Sequence, residues 1–502
     1  MGRISYSTYT LLEKIYLSKL SKILRFYNNE SILNVYKYLC KKIQIVKSIP
    51  LRKKIDTNTL TQEDVNNLTY QDLLYLKAYN LEYFKETATH IYNRNILEIQ
   101  KKTKIKVVFY LYTISLWSCE RLYRLFENDE RFDPIIIVVK RRTGTEEIKD
   151  REYEETVQYF KTRGYQTIGV ADKEYIEMGW NEIGKPDIIM LLTPYKSFYP
   201  VSFSLTRIPL SCLNIYIPYG LSATGNYDVF DAIGAQICWK YLAETETTKK
   251  VISKHSELKG FNVLVSGHPK MDVLLKPDVQ YNPEAIWKIP PGKKIDEVKK
   301  IIYAPHHSIY NETIKFSTFH LNHKEIYEFA KKHPETSWVV KPHQDLKQAT
   351  INTGLFATED DYDAYMDHWD ALSNARTVRL GSYEDIFLTS DAMIMDCGSF
   401  LTEYTITNKP LIFLRRPEQK FTEWGNELLN VLYSVNGDDI EAIEEIITNI
   451  IINGNDYLQE KRGKLLQSIL GIYDSFDGDS TASDFIYHYI KDTFNNKSNQ
   501  QQ

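Results

Sequence analysis

Three of the chain's eleven histidines follow short apolar runs. Lys300–Tyr303 reads as a strand and leads through Ala304-Pro305 into His306-His307. Ser337–Val340 reads as another and leads into Lys341-Pro342-His343. A third, Ala392–Met395, leads into Asp396-Cys397-Gly398-Ser399, with a helix behind it to Asn408. Imidazoles exchange protons near neutrality, and a histidine beside a lysine can hold phosphate oxygens. A helix start carrying Gly398 and Ser399 offers free N–H groups and a hydroxyl to an anion. Asp396 would stand at the mouth of the sheet, placed to meet a sugar hydroxyl or to orient a histidine. Each also has a plainer reading: a strand-end histidine satisfied by its neighbours, and a Ser399 that only caps its helix.

A fourth group is Ser266-Gly267-His268-Pro269-Lys270-Met271-Asp272, which begins as a tight turn. Lys270 could meet phosphate and Asp272 could pin the loop. Equally, this is a rigid turn between lobes in which Asp272 caps the next helix. The acidic run Glu359, Asp360, Asp361, Asp363, Asp367 and Asp370 reads as a solvated helix face. No His-x-His or His-x3-His spacing occurs, so no metal or other cofactor is expected, a divalent cation such as magnesium being left open.

These residues need a large scaffold, and the chain supplies one. It has 502 residues, 43% hydrophobic and 25% charged, enough for about three domains and a cleft between them. Net charge is −4, which gives no reason to expect nucleic acid as a partner. Residues 1–54 nonetheless carry twelve Lys and Arg against Glu13 and Glu30, a net +10 that leaves −14 for the rest. Apolar stripes at helical spacing (Leu12, Ile15, Tyr16, Leu20, Ile23, Leu24, then Ile32, Val35, Leu39, Ile43) lie among those charges. Such helices suit an anionic membrane surface, or else pack their stripes on their own protein. The five cysteines are dispersed, without Cys-x-x-Cys, and fit a reducing cytosol. No secretory leader is read at the N-terminus, and the densest apolar runs, Ile135–Val139 and Ile188–Leu192, have strand length only.

Secondary structure alternates. Strands are expected at Lys106–Leu111, Ile135–Val139, Gln166–Val170, Asp187–Leu192 and Leu213–Ile217, the last before Pro218-Tyr219-Gly220. The polar stretch Glu244–Gly260 reads as a junction, and a second series starts at Phe261–Val265. This predicts an α/β protein with two Rossmann-like lobes and ligands at the strands' C-terminal ends. The expected divisions are a basic helical extension over 1–104, a first lobe over 105–250, a second over 251–425, and helices with a polar tail over 426–502. No Gly-x-Gly-x-x-Gly follows Val107–Leu111 and no Walker loop is present, which argues against nicotinamide enzymes and P-loop NTPases.

In order along the chain, these motifs resemble those of the CDP-glycerol glycerophosphotransferase family, which polymerises and primes teichoic acids and related capsules. Ser266–Asp272 is similar to its Gly-x-Pro-Arg-Asn-Asp motif, Ile302-Tyr303-Ala304-Pro305 to its Tyr-Ala-Pro strand end, and Lys341-Pro342-His343 to its Arg-x-His-Pro segment. Leu388–Phe400, followed by Lys409–Phe413, resembles its Ser-Asp-x-x-Ile-Thr-Asp-Tyr-Ser-Ser segment. The resemblance spans about residues 105–430. It implies a GT-B fold with the nucleotide in the second lobe, and attack by an acceptor hydroxyl on the polyol-bearing phosphate of a CDP-polyol, expelling CMP. It implies that His343 contacts the diphosphate, that Asp396 and Ser399 are the motif's Asp and second Ser, and that Glu403 lies near the nucleotide. The sequence departs from the family where Tyr219, before Gly220, replaces a histidine proposed as the base. A phenol is a poor base at neutral pH. The base is therefore expected among His306, His307 and His343, with His306 first. Cys397-Gly398 replaces Tyr-Ser, one hydroxyl fewer for phosphate.

The expected function is transfer of a glycerol- or ribitol-phosphate type group from a CDP-linked donor to a membrane-linked glycan acceptor, on the cytoplasmic face of the membrane. Donor contacts are expected from Lys341, Gly398, Ser399, Glu403, Lys270 and Asp272, and acceptor contacts from Tyr219 and Gly220. The alternatives are an NDP-sugar glycosyltransferase on the same fold, from which the Glu-x7-Glu signature is missing because Leu411 lies eight after Glu403, and an inactive subunit that binds membrane or partners.

Overall fold

The computed structural model describes residues 69–170, 179–180, 183–221, 223–277, 281–310, 315–379, 383–474 and 481–495. The basic segment 1–54 lies outside them.

Two all-parallel sheets organise the chain. The first contains β1 (Ile105–Leu111), β2 (Phe132–Val139), β3 (Thr167–Val170), β4 (Ile188–Leu191), β5 (Leu213–Tyr216), β6 (Lys240–Ala243) and β7 (Val263–Val265). Their order is β3-β2-β1-β4-β5-β6-β7. Central strand β1 is apolar on both faces because helices cover both. Phe109 sits between Ile136 of β2 and Met190 of β4. The second sheet holds β8 (Lys299–Ala304), β9 (Thr336–Val340), β10 (Ala375–Thr377), β11 (Ala392–Met395), β12 (Leu411–Arg415) and β13 (Tyr433–Asn436), ordered β10-β9-β8-β11-β12-β13. In each sheet the strand order reverses once, between β1 and β4 and between β8 and β11. At such a switch point the flanking loops part, leaving a crevice beyond the strands' carboxyl ends.

Two of the expected boundaries are corrected. Val263–Val265 does not open the second lobe. It pairs with Tyr241–Ala243 and closes the first sheet, so Glu246–His255 is a crossover helix rather than a linker. The polar composition misled because that helix shows only one face to the core, through Thr248, Val251 and Ile252. Nor is the region after 425 all helical: Tyr433–Asn436 is the edge strand of the second sheet.

The chain then returns to where it began. The helix Ala482–Asn495 packs on the first lobe, burying Ile486, Ile490 and Phe494 in that lobe's core. Arg121 pairs with Asp484 at 3.1 Å, and Tyr487 and Lys491 both reach Asp129. The described helices Tyr70–Tyr79 and Leu81–Gln100 also pack on this lobe, so over that stretch the apolar stripe is core. No helix among the described residues is long and apolar enough to cross a membrane.

Asp272 anchors the returning helix. Its carboxylate accepts the backbone N–H groups of Ala482 and Ser483 at 2.9 and 3.0 Å, at the positive end of the helix. Burial still pushes its pKa up to about 6. Asp272→Ala strands two buried donors, which costs about 1–3 kcal/mol each. The variant should melt earlier and release its last helix to limited proteolysis. Wild-type melting with a protected C-terminus would refute the anchor.

Candidate active site

The second lobe's switch point is built by three strand exits. From β8 come His306 and His307, from β9 Lys341 and His343, and from β11 Asp396. The His343 N–H donates to Pro305 O at 3.1 Å, tying the β9 exit to the β8 exit. Asp396 ties in the third. Its Oδ1 accepts the His306 backbone N–H at 2.6 Å, and its Oδ2 accepts both the N–H and the hydroxyl of Thr318, which precedes the helix Phe319–Lys332. Asp396 is fully buried, and burial pushes its pKa up to about 6. Both oxygens are occupied inside the protein, where they hold the backbone of the His306 loop and Thr318.

The imidazoles meet. Ring centroids are 4.2 Å apart for His306 and His307, 4.1 Å for His307 and His343, and 5.0 Å for His306 and His343. One nitrogen from each lies within 4.8 Å of one from each of the others. Such a set could grip a divalent ion, and its rings could also present N–H groups to an anion. The Ser308 N–H donates to His306 Nδ1 at 3.3 Å, with the Ser308 hydroxyl 2.8 Å from the same nitrogen, and the Asp345 N–H donates to His343 Nδ1 at 3.1 Å. The backbone N–H on each Nδ1 favours the neutral tautomer that carries its proton on Nε2. Two imidazoles fixed as Nε2–H donors match the oxygens of an anion better than a cation. Burial and mutual proximity keep them neutral: His343 is pulled down to about 4 and His306 well below the usual histidine range.

His307 differs. Its Nδ1 is buried without a partner, and no ring hydrogen bond fixes its tautomer among the described residues. Burial lowers its pKa as well. Of the three rings, His307 is the one whose lone pair is unclaimed.

Lys341 is half-buried, and burial depresses its amine, while Asp385 and Glu384 favour its charge. Gly398 opens the helix Gly398–Thr405. A Cβ there would lie 2.2 Å from Thr224 Cγ2 of the first lobe, so this glycine serves the close approach of the two lobes. Ser399 is exposed, 3.0 Å from Cys397 Sγ. Glu403 forms a separate group: its buried carboxylate receives Lys270 Nζ at 2.9 Å and the Tyr383 hydroxyl at 2.6 Å. Lys270 is thus already neutralising a carboxylate, and Asp272 is spent on the last helix. Neither is joined to the imidazoles by a hydrogen bond among the described residues. Tyr219 is 45% exposed on the loop after β5, and Gly220 has open space around it.

Sequence reasoning passed over His268 as a positioning residue. Gly267, at φ 71°, turns the chain so that His268 Nδ1 accepts the Lys270 N–H while Nε2 donates to Pro218 O at 2.5 Å. A second-lobe motif thereby holds the Tyr219 loop. That loop continues across the seam. Leu221 and Ala223 sit in the second lobe's core, the Gly225 N–H donates to Lys420 O, and the Thr422 N–H donates to Ala223 O. The signal was a histidine inside a tight turn, read only for its lysine and aspartate.

Burial pulls the His268 pKa down to about 4, with the hydrogen bond to Pro218 O opposing the fall. In the unfolded chain it titrates near 6.5. Its stabilising contribution is thus complete above about pH 6.5 and is lost as pH falls toward 4. Asp272 and Asp396, raised to about 6, act in the opposite direction over the same window. His268→Gln should lower the melting temperature at pH 7 and shrink the further loss on acidification to pH 5. An unchanged acid dependence would show that His268 does not titrate in this way.

A protein-family model of CDP-glycerol:poly(glycerophosphate) glycerophosphotransferases matches residues 232–490. No curated protein sequence matches the chain. Among solved structures, the S. aureus MnaA–UDP complex is 14% identical, with 78% of this chain and 97% of that one covered at a TM-score of 0.50. The UDP-GlcNAc 2-epimerase from Neisseria meningitidis bound to UDP-GlcNAc is 15% identical (78% and 99% covered, TM-score 0.47). A variant of the wall teichoic acid polymerase TagF soaked with CDPG is 14% identical (87% and 98% covered, TM-score 0.48). The two-lobed architecture is thus of the GT-B kind, and with more than half of its length matched by the family model, the chain belongs to the CDP-glycerol:poly(glycerophosphate) glycerophosphotransferase family.

Proposed function

We propose that the protein transfers a polyol phosphate, of the glycerol- or ribitol-phosphate type, from a CDP-linked donor to a hydroxyl of a membrane-linked glycan precursor, releasing CMP. The observation that carries this reading is the imidazole cluster at the second lobe's switch point, two of whose rings are fixed as donors. In this reading Nε2–H of His306 and of His343 bind oxygens of the donor's diphosphate, with Lys341 adding charge. The acceptor oxygen attacks the polyol-bearing phosphorus, the bond from that phosphorus to the CMP oxygen breaks, and CMP leaves with the electron pair. His307 takes the acceptor's proton on Nε2, the neutral ring keeping its own proton on the buried Nδ1. Neutral donors in a partly desolvated site need no reorganisation as charge shifts to the leaving group. No resident metal enters this scheme.

The test is a panel of CDP-glycerol, CDP-ribitol and UDP-sugars, scored by thermal shift and by the nucleotide released. CMP from a CDP-polyol supports the proposal. Release of a nucleoside diphosphate would mark a glycosyltransferase, and neither binding nor release would mark an inactive subunit.

We also propose that residues 1–54 hold the enzyme to anionic membrane, supported by their +10 charge. Each basic residue near such a surface contributes about 1 kcal/mol, screened by salt. Deleting residues 1–54 should abolish sedimentation with phosphatidylglycerol vesicles and leave a folded protein. Persistent sedimentation would overturn the assignment.

A further inference from the structure

We infer that the first lobe's switch point binds a pyranose ring of the acceptor, stacked against Tyr219 and Tyr195. The inference rests on the transferase reading above and names the acceptor's chemical class. The first sheet reverses order between β1 and β4, so its ligand crevice lies where those strands end. The exit of β1 carries Tyr112, that of β4 leads to Tyr195 and Phe198, and that of neighbouring β5 leads to Tyr219. These four rings form one row. Tyr112 stacks on Phe198 at 5.0 Å and 23°, Phe198 meets Tyr195 at 6.1 Å, and Tyr195 meets Tyr219 at 6.3 Å. The row is buried at Tyr112 and opens outward until Tyr219 is 45% exposed. An aromatic row that ends in an exposed ring at a ligand crevice offers a hydrophobic face to a ligand.

Polar groups beside the row narrow the choice. Arg141 Nε and Glu152 lie 2.9 Å apart, and both interact electrostatically with the Tyr112 hydroxyl. A pyranose presents an apolar face of C–H groups and a rim of hydroxyls that donate and accept, which matches rings flanked by phenols and an ion pair. A bare polyol-phosphate chain has no such face and calls for unpaired cations. Here Lys140 is paired with Glu146 and Asp150, and Arg141 with Glu152, whereas the exposed Lys196, between Tyr195 and Phe198, forms no ion pair among the described residues. Arg142, whose backbone N–H donates to Phe198 O at 2.9 Å, stands at the edge and makes glycerol 3-phosphate the necessary control. Tyr219 occupies the place where the family resemblance puts a basic histidine. In this chain that position has become a binding surface, with proton transfer left to the second lobe.

Saturation-transfer NMR on the full chain tests this with methyl pyranosides (glucoside, mannoside and 2-acetamido-2-deoxyglucoside) and with glycerol 3-phosphate. The expected result is transfer to the ring C–H protons of at least one pyranoside. That transfer should persist in Tyr219→Phe, vanish in Tyr219→Ala, and be unaffected by glycerol 3-phosphate. No transfer in the wild type, full transfer in a folded Tyr219→Ala variant, or displacement by glycerol 3-phosphate would each overturn the inference. Thermal shift with CDP-glycerol and CDP-ribitol on the same samples reports separately on the donor reading. Pyranoside transfer without a CDP-polyol shift keeps this subsite and refutes that reading; the opposite pair of results does the reverse.

Discussion

His307→Gln should slow CMP release by about 10²–10⁴-fold, the usual worth of a positioned general base. Donor affinity should change little, because donor oxygens are assigned to His306 and His343. Lone pairs separate the three rings. A base must present an unprotonated nitrogen to the acceptor hydroxyl, and backbone N–H groups already claim Nδ1 of His306 and His343. His307 has no such constraint. Since burial lowers its pKa, it becomes protonated only below the ordinary histidine range, and the wild-type rate should fall on the acidic side of about pH 6.5. The Gln variant should lose that acidic limb along with its rate. His306→Gln is the informative comparison, because the sequence put His306 first. If His306→Gln removes the limb and His307→Gln keeps it, the two roles are exchanged.

His343→Ala is the second large effect. A hydrogen bond to a charged group contributes about 1.5–3 kcal/mol, so turnover with the CDP-linked donor should fall roughly 10- to 150-fold. The loss should appear largely in donor affinity, and the thermal shift given by CDP-glycerol should shrink with it. The ring is partly exposed, with 31% of its side-chain surface open, so its removal should leave the fold intact. A folded His343→Ala variant with wild-type turnover would remove His343 from the site.

Which parts of this were legible in the sequence follows from what each pattern encodes. Strands buried on both faces write themselves as unbroken apolar runs, so β1, β2, β4, β8, β9 and β11 were readable, and with them the switch point that carries the histidines. Two short strands were not, although the edge strands β3 and β7 were. Lys240–Ala243 begins with a lysine and spans four residues, and Tyr433–Asn436 alternates buried and exposed positions in a polar context. The type of each chemical residue was visible, but its engagement was not. Nothing local tells Asp396, whose two oxygens are filled by His306 and Thr318, from a carboxylate facing solvent. Lys270 likewise looked free until Glu403, 133 positions later in the chain, was found 2.9 Å away. The aromatic row was invisible for the same reason: Tyr112, Phe198 and Tyr219 are neighbours only because three parallel strands end together.

The return of Ala482–Asn495 to the first lobe makes that lobe discontinuous in the chain. A ribosome delivers all seven strands of the first sheet long before it delivers the helix that covers Phe126 and Phe132. During that interval the nascent first lobe exposes an apolar groove, while the second lobe can complete its own sheet. The order of completion is therefore inverted relative to the order of synthesis: the lobe begun first is finished last. A stop codon, a frameshift or a bulky fusion near the C-terminus would then show its damage hundreds of residues upstream, as aggregation through the first lobe.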